Sequence, residues 1–264
     1  MFDLKRYTEP QAEFWNHDSK FSGFIGGIGS GKTFAGAVKV LTMPPNSTGM
    51  VLAPTFPMLE SASLRAFLEL ARPAGLIESF NQSKYVMTLK GNRTIFWRSA
   101  DRPDRLRGPN LGWLWLDEVA MMDHAAKTVN EAETWLIAIG RLRELPGEAW
   151  VTSTPRGTRH WLFDLVKTSD MAITYATSAS NPFNQPDFLE TVGSFGSADW
   201  QRQELGGEFV EPGGTLFKRH WFQSVDKLPA GERLSVRSWD TAATSGGGDH
   251  SVGLRMHKIG GKYY

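Results

Sequence analysis

The segment Gly26-Gly27-Ile28-Gly29-Ser30-Gly31-Lys32-Thr33 constrains this chain more than any other stretch of it. It fits G-x-x-x-x-G-K-[ST], and its flanks agree: residues 21–25 read as an apolar strand and residues 32–41 as a helix. A strand, a glycine-rich turn and a helix in that order gather backbone N–H groups and a helix N-terminus around an anion. The glycines let the backbone wrap closely. Lys32 has the reach for β- and γ-phosphates, and Thr33 offers a hydroxyl to Mg2+. A chance Gly-Lys-Thr in a turn would lack these flanks. The loop predicts a nucleoside triphosphate site, with ATP and Mg2+ as ligands, inside an α/β domain.

Such a loop needs a carboxylate on a neighbouring strand. Leu114-Trp115-Leu116-Asp117-Glu118 supplies it at the end of residues 111–116, which read as a strand buried on both faces. Asp117 is placed to coordinate Mg2+ through water, and Glu118 to orient and activate an attacking water. An N-cap acid followed by a first-turn acid has the same composition; the phosphate loop upstream decides for metal and base. Thr152-Ser153-Thr154-Pro155-Arg156-Gly157 closes the next strand, residues 149–153. Its hydroxyls fall at the carboxyl edge of the sheet, where ligands of open α/β folds bind, and there they can sense a γ-phosphate and relay its loss. An ordinary strand-to-helix turn also contains such residues. Residues 93–107 carry Arg93, Arg98, Arg102, Arg105 and Arg107. An arginine there can stabilise a transferring phosphoryl group, in cis or from a neighbouring subunit, or hold DNA phosphates. With Asp101 and Asp104 among them, a solvated, charge-balanced loop is the plainer alternative.

Residues 49–53, 85–89, 94–97 and 171–176 read as further strands, and residues 58–71, 125–142 and 159–166 as helices. Gly91-Asn92 predicts a hairpin between 85–89 and 94–97. Strands alternating with helices imply a largely parallel sheet flanked by helices. After Ser178 the chain is broken by Pro and Gly until strands at 234–239 and 251–257 open a second sheet. The expected division is 1–178 for the P-loop ATPase domain, 179–232 for a linker or lid, and 233–264 for the start of another domain. The 264 residues are 41 % hydrophobic and 22 % charged, ordinary values for a chain with a full core. The absence of cysteine excludes disulfides and thiolate metal sites, and the six histidines form no H-E-x-x-H pair. With 29 basic and 28 acidic residues, net charge neither asks for a nucleic acid nor excludes one, since local patches suffice. No apolar run reaches the ~18–20 residues of a membrane span, and the N-terminus has no signal-peptide core, so a cytoplasmic location is expected.

Taken in order, these motifs resemble the large terminase subunit of tailed bacteriophages over nearly the whole chain. The resemblance implies an ASCE/RecA-like P-loop domain, then a linker and the opening strands of an RNase H-like nuclease domain. Tyr7-Thr8-Glu9-Pro10-Gln11 looks like the family's adenine-recognition segment, with Gln11 as the purine contact. Gly26 to Thr33 and Leu114 to Glu118 are similar to its two Walker motifs, and Thr152-Ser153-Thr154 to its coupling motif. Arg107-Gly108, ahead of the Walker B strand, resembles the position from which many terminases offer an arginine to the next subunit, with Arg105 in reserve. Other members place an arginine inside the P-loop; here the variable positions, Ile28 among them, hold none, which favours a finger in trans. Asn181-Pro182 and residues 204–210 look like the family's exit from the ATPase domain. Ser238-Trp239-Asp240, with Asp249 further on, resembles the opening hairpin of the nuclease, in which Asp240 is the first metal-ligating carboxylate. The family's nuclease needs further acidic residues on later strands, and the sequence ends at Tyr264 before any of them, so endonuclease activity is not expected of this chain alone.

The function so implied is an ATP-driven motor that moves double-stranded viral DNA into a procapsid. Its implied setting is a homo-oligomeric ring of five subunits, with a portal protein and a small terminase subunit as partners, in the cytoplasm of an infected bacterial host. Two other readings stay open on the residues: a helicase-like translocase, for whose second RecA-like domain residues 178–264 offer no room, and a nucleotide-dependent binding switch without motor activity.

Overall fold

A computed structural model of the chain describes residues 6–122, 133–211, 221, 223, 225–241 and 251–264. The chain divides into two compact units, residues 1–212 and 213–264. The first contains α1 (Glu9–Trp15), β1 (Phe21–Gly26), α2 (Lys32–Thr42), β2 (Thr48–Ala53) and α3 (Phe56–Met58). A π-helical turn (Leu59–Leu64) joins α3 to α4 (Arg65–Ala71), and β3 (Ile77–Asn81), β4 (Val86–Leu89), β5 (Arg93–Ser99) and β6 (Trp113–Asp117) follow. Then come α5 (Glu133–Ile139), β7 (Glu148–Ser153), α6 (Trp161–Thr168), β8 (Ala172–Ala176) and α7 (Phe188–Phe195).

The eight strands form one sheet in the order β3-β4-β5-β2-β6-β7-β1-β8. From β5 to β8 every neighbouring pair is parallel. The sheet is nevertheless mixed rather than wholly parallel, because β3 and β4 run antiparallel to their neighbours. The β4–β5 hairpin turns at Gly91-Asn92, where the sequence predicts it, and a two-strand turn can only produce an antiparallel pair. β3 is not legible in the sequence: it is half-exposed at the sheet edge and carries little apolar periodicity.

β6 shows why the middle of the sheet is fixed. All five residues of Trp-Leu-Trp-Leu-Asp are buried, and alternate side chains point to opposite faces. Trp113 and Trp115 enter one core with Phe14, Phe24, Phe67, Trp97 and Trp150. Leu114 and Leu116 enter the other with Ile25, Met50, Val151, Trp135 and Leu162. Each fully buried tryptophan removes roughly 150–250 Å² from water, worth at most about 4–6 kcal/mol, so a register slip that moved this pair would be prohibitive.

Elsewhere the elements differ from the sequence expectation. The single helical pattern over 58–71 is split by the π-helical turn. Leu111 is not in the strand; it bridges Leu142, while the strand starts at Trp113. Of the helix expected over 125–142, Glu133–Ile139 is helical, and residues 123–132 lie outside the described residues. The segment read as broken linker contains α7 and a second π-helical turn (Gln201–Leu205). No helix among the described residues is long and apolar enough to cross a membrane.

The second unit contains β9 (Arg233–Asp240), β10 (Val252–Ile259) and β11 (Lys262–Tyr263), an antiparallel sheet ordered β11-β10-β9. Asp240 ends β9 opposite Val252. Asp249 lies outside the described residues.

Candidate active site

The P-loop is the turn from β1 into α2. Gly29 and Gly31 sit at φ 74° and 84°, conformations that a side chain disfavours. Gly31 is the N-cap of α2 and provides no capping side chain, so the first-turn N–H groups of α2 are left for an anion. Gly27 N donates to Ala176 O at the end of β8 (3.1 Å), and Ile28 stands partly exposed. Ser30 Oγ is buried with no hydrogen-bond partner. Gln11 is buried beneath the loop: its Nε2 donates to Gly31 O at 3.0 Å, and its Oε1 accepts from Thr8 N at 2.9 Å in a capping box. α1 is thus tied to the phosphate loop, a tie strengthened by Trp15 Nε1 donating to Ala35 O (2.9 Å).

Two strands bring the remaining groups to this turn. Parallel register sets Asp117 on β6 beside Thr152 on β7. Thr152 Oγ1 donates to Asp117 Oδ1 at 2.7 Å, and Thr33 Oγ1 donates to the same oxygen at 3.2 Å. Trp115 Nε1 in turn donates to Thr152 Oγ1 (2.8 Å). Burial, and the charge of neighbouring Glu118, push the Asp117 carboxyl up to about 6; the Thr152 and Ser63 hydroxyls and the Lys32 ammonium pull the other way. Glu118 turns the chain at φ 49°, left-handed for a non-glycine residue. That turn places its Oε1 3.1 Å from Lys32 Nζ and its Oε2 3.2 Å from Thr154 N. Ser153 Oγ accepts from Ala120 N at 3.1 Å, fixing the turn after Glu118. The residues read as two Walker motifs and a coupling motif therefore meet as one hydrogen-bonded cluster.

Some participants carry no recognisable motif. Ser63, on the π-helical turn, donates to Asp117 Oδ2 at 2.8 Å. Asn181 Nδ2 donates to Gly29 O (2.6 Å), Ile28 N donates to Glu204 O (2.6 Å), and Gln203 Oε1 accepts from Gly157 N (3.0 Å). Residues 178–207 thus strap both the P-loop and the turn after Thr154. Asn181-Pro182 and Glu204 stand in the sequence as an exit from the domain, and nothing in their spacing declares that they return to the loop.

The arginine segment separates into kinds. Arg93 Nη1 donates to Leu41 O at 2.8 Å, and Arg98 Nη1 to Lys84 O at 2.9 Å and Trp97 O at 2.8 Å. These two brace backbone carbonyls through Nη1, which gives each a structural role within the domain. A short 3-10 turn (Pro103–Leu106) carries the backbone of Arg105, and Arg107 follows it at the surface, next to fully buried Leu106. Asp240 is exposed on the second unit, and no group of three or more potential metal ligands occurs among the described residues.

Comparison with known proteins agrees with this fold. The family described as "Terminase large subunit, T4likevirus-type, N-terminal" matches residues 24–224. The "Terminase, large subunit" of Thermus virus P23-45 is 26 % identical over 263 residues, covering 82 % of this chain and 52 % of that protein. The chain therefore spans about half the length of such curated relatives. Among solved structures, the large terminase of a thermophilic bacteriophage superposes with a TM-score of 0.68 at 16 % identity, over 82 % of this chain and 57 % of that one. The ATPase domain of the Thermus phage P74-26 large terminase gives a TM-score of 0.62 at 21 % identity, over 78 % of this chain and 94 % of that one. The first of these two enzymes has also been solved with ATP-gamma-S, with a TM-score of 0.61 at 17 % identity over 77 % of this chain and 53 % of that one. At these identities the structural likeness speaks for the fold.

Proposed function

The chain belongs to the large terminase subunit family, and from that premise we propose that it is the ATP-hydrolysing motor unit that drives double-stranded viral DNA into a procapsid. The observation that carries this reading is the meeting of Thr33 with Asp117 at 3.2 Å and of Lys32 with Glu118 at 3.1 Å. A phosphate cradle, a metal carboxylate and a base thereby occupy one site. The position of β7 between β1 and β6 supports the ASCE/RecA-like assignment, because it carries Thr152 to the carboxylate rather than away from it.

In this reading the P-loop N–H groups and Lys32 bind the triphosphate, and Gln11 supports the loop and contacts the purine. Thr33 and Asp117 are an all-oxygen donor pair in contact with each other, which suits Mg2+ completed by phosphates and water. Bound there, Mg2+ neutralises charge on the phosphates. Glu118 orients the attacking water once Lys32 has exchanged it for phosphate oxygens. Thr152, Ser153 and Thr154 relay the loss of the γ-phosphate, since all three belong to the hydrogen-bonded cluster around the two acids. Arg107, with Arg105 in reserve, completes the site of an adjacent subunit.

The division at 1–178, 179–232 and 233–264, the RNase H-like identity of the last strands and the nuclease role of Asp240 belong to the same proposal. So do the pentameric ring, the portal and small-subunit partners and a site of action in the cytoplasm of the infected host. The test is ATP turnover with Glu118→Gln beside the unaltered chain. Loss of a positioned base is expected to lower turnover by about 10²–10⁴-fold with nucleotide binding retained. Unaltered turnover in that variant would remove Glu118 from the chemistry.

A further inference from the structure

Three hydroxyls converge on Asp117, and the sequence announces only two of them, Thr33 and Thr152. We propose that Ser63 is the third element of the cation site: a positioning residue that sets the site's affinity for a divalent cation by fixing the Asp117 carboxylate. The proposal rests on the reading of Thr33 and Asp117 as the cation's ligands.

The geometry is that of a clamped carboxylate. Thr152 and Thr33 donate to Oδ1 at 2.7 and 3.2 Å, and Ser63 donates to Oδ2 at 2.8 Å. Among the described residues Ser63 is the only donor to Oδ2. Bonds at both oxygens stop the carboxylate plane from rotating, which keeps Oδ1 beside Thr33. Ser63 and Asp117 are both buried, so water does not readily take the place of a lost hydroxyl.

The local structure singles Ser63 out. Its π-helical turn buries Leu59, Ser63 and Leu64 and leaves Glu60, Ser61 and Ala62 outside. π-turns of this kind recur at functional sites. A serine within a helix commonly either faces solvent or returns its hydroxyl to the carbonyl four residues earlier. Ser61 does the latter, donating to Pro57 O at 2.6 Å. Ser63, two residues on, instead spends its one donor on the acid of a strand 54 positions away. A position needed only for packing would be served by alanine, without the cost of burying a hydroxyl.

The experiment follows fluorescence of a methylanthraniloyl-ADP complex of the intact chain during Mg2+ titration, with a parallel nucleotide titration in EDTA. In Ser63→Ala the Mg2+ concentration at half-saturation is expected to rise about 10–100-fold, the usual effect of removing a group that orients a metal ligand. Nucleotide affinity in EDTA is expected to stay unchanged. Ser63→Cys, close in volume but a weak donor, should fall between alanine and the native serine. A rise of less than about threefold in Ser63→Ala, or an equal loss of affinity in EDTA, overturns the proposal, since a purely structural serine would act on both titrations alike. Asp117→Asn separates the two levels of inference. If it loses the Mg2+ response and Ser63→Ala does not, only the role of Ser63 fails. If neither variant alters the response, the ligand reading of Thr33 and Asp117 fails as well.

Discussion

Lys32 faces two demands that cannot be met together. Its ammonium is paired with Glu118 at 3.1 Å, and the same ammonium is the cation that a P-loop presents to phosphate. Binding a triphosphate has to break this pair, so part of the binding free energy is spent releasing Glu118. Glu118→Gln should therefore bind ATP more tightly than the native chain, even as it loses turnover. The pair is largely buried, with side chains 9 % and 21 % exposed, and a hydrogen bond between charged groups contributes about 1.5–3 kcal/mol, so a gain in affinity on the order of tenfold is expected; calorimetric titration of both proteins measures it, and weaker binding by the variant would contradict the exchange. Asp117 yields a pH prediction. Its folded value of about 6 lies above its ordinary 3.8. A carboxyl raised by folding favours the folded state fully below the ordinary value, and that contribution is lost as pH rises through the folded one. Urea unfolding without nucleotide or metal should thus show the native chain losing stability relative to Asp117→Asn between pH 4 and pH 7. From 3.8 to about 6 the loss is on the order of 3 kcal/mol. The acids, the lysine and the threonines of this cluster are readable in sequence because their chemistry demands fixed neighbours. Ser63 and the left-handed turn at Glu118 are not, because each follows from how the backbone closes in space.

At the level of elements, α2 lies against β6 through Gly36 and Trp115. A Cβ added at Gly36 would stand 2.4 Å from the Trp115 ring. Trp115 is fully buried, and its Nε1 is held by Thr152, so the ring cannot step aside without moving the residue that donates to Asp117. Two effects compete in Gly36→Ala. Helix propensity favours alanine by about 1 kcal/mol, whereas overpacking a filled core costs about 1–3 kcal/mol. With a tethered indole as the obstacle the second prevails. The variant should lose about 1 kcal/mol or more in denaturant unfolding and lose ATPase activity with it; a stabilised, fully active variant would show that the contact relaxes freely. The same elements show where sequence reading succeeds. Trp-Leu-Trp-Leu announces a strand buried on both faces because its apolar run is continuous, with no polar residue to mark an exposed face. The π-helical turn inserts its irregularity into an otherwise helical pattern, so residues 58–71 read as one helix. The strap over residues 178–207 is held by side-chain amides and backbone carbonyls, which leave no periodic trace.

At the level of the whole molecule, the first unit presents Arg107 on its surface beside buried Leu106, while Arg93 and Arg98, from the same run, brace carbonyls within it. Composition alone places all five arginines on an equal footing; exposure sets Arg107 apart from the part-buried Arg93 and Arg98. If the ring completes each site with the neighbour's Arg107, the interface is head-to-tail, and one subunit's arginine serves the next subunit's nucleotide. Arg107→Ala alone should then lower turnover by about 10³-fold or more, the usual scale for an arginine finger. Glu118→Gln alone should do the same for a different reason. Mixing the two proteins in equal amounts distinguishes the arrangements. In a random ring, roughly a quarter of interfaces join an Arg107→Ala subunit, whose own Glu118 is intact, to a Glu118→Gln neighbour that supplies arginine. Those interfaces should hydrolyse ATP, so the mixture regains up to about that fraction of native turnover although neither parent has it. An arginine acting within its own subunit gives no recovery at any ratio, because every subunit then lacks either its base or its arginine.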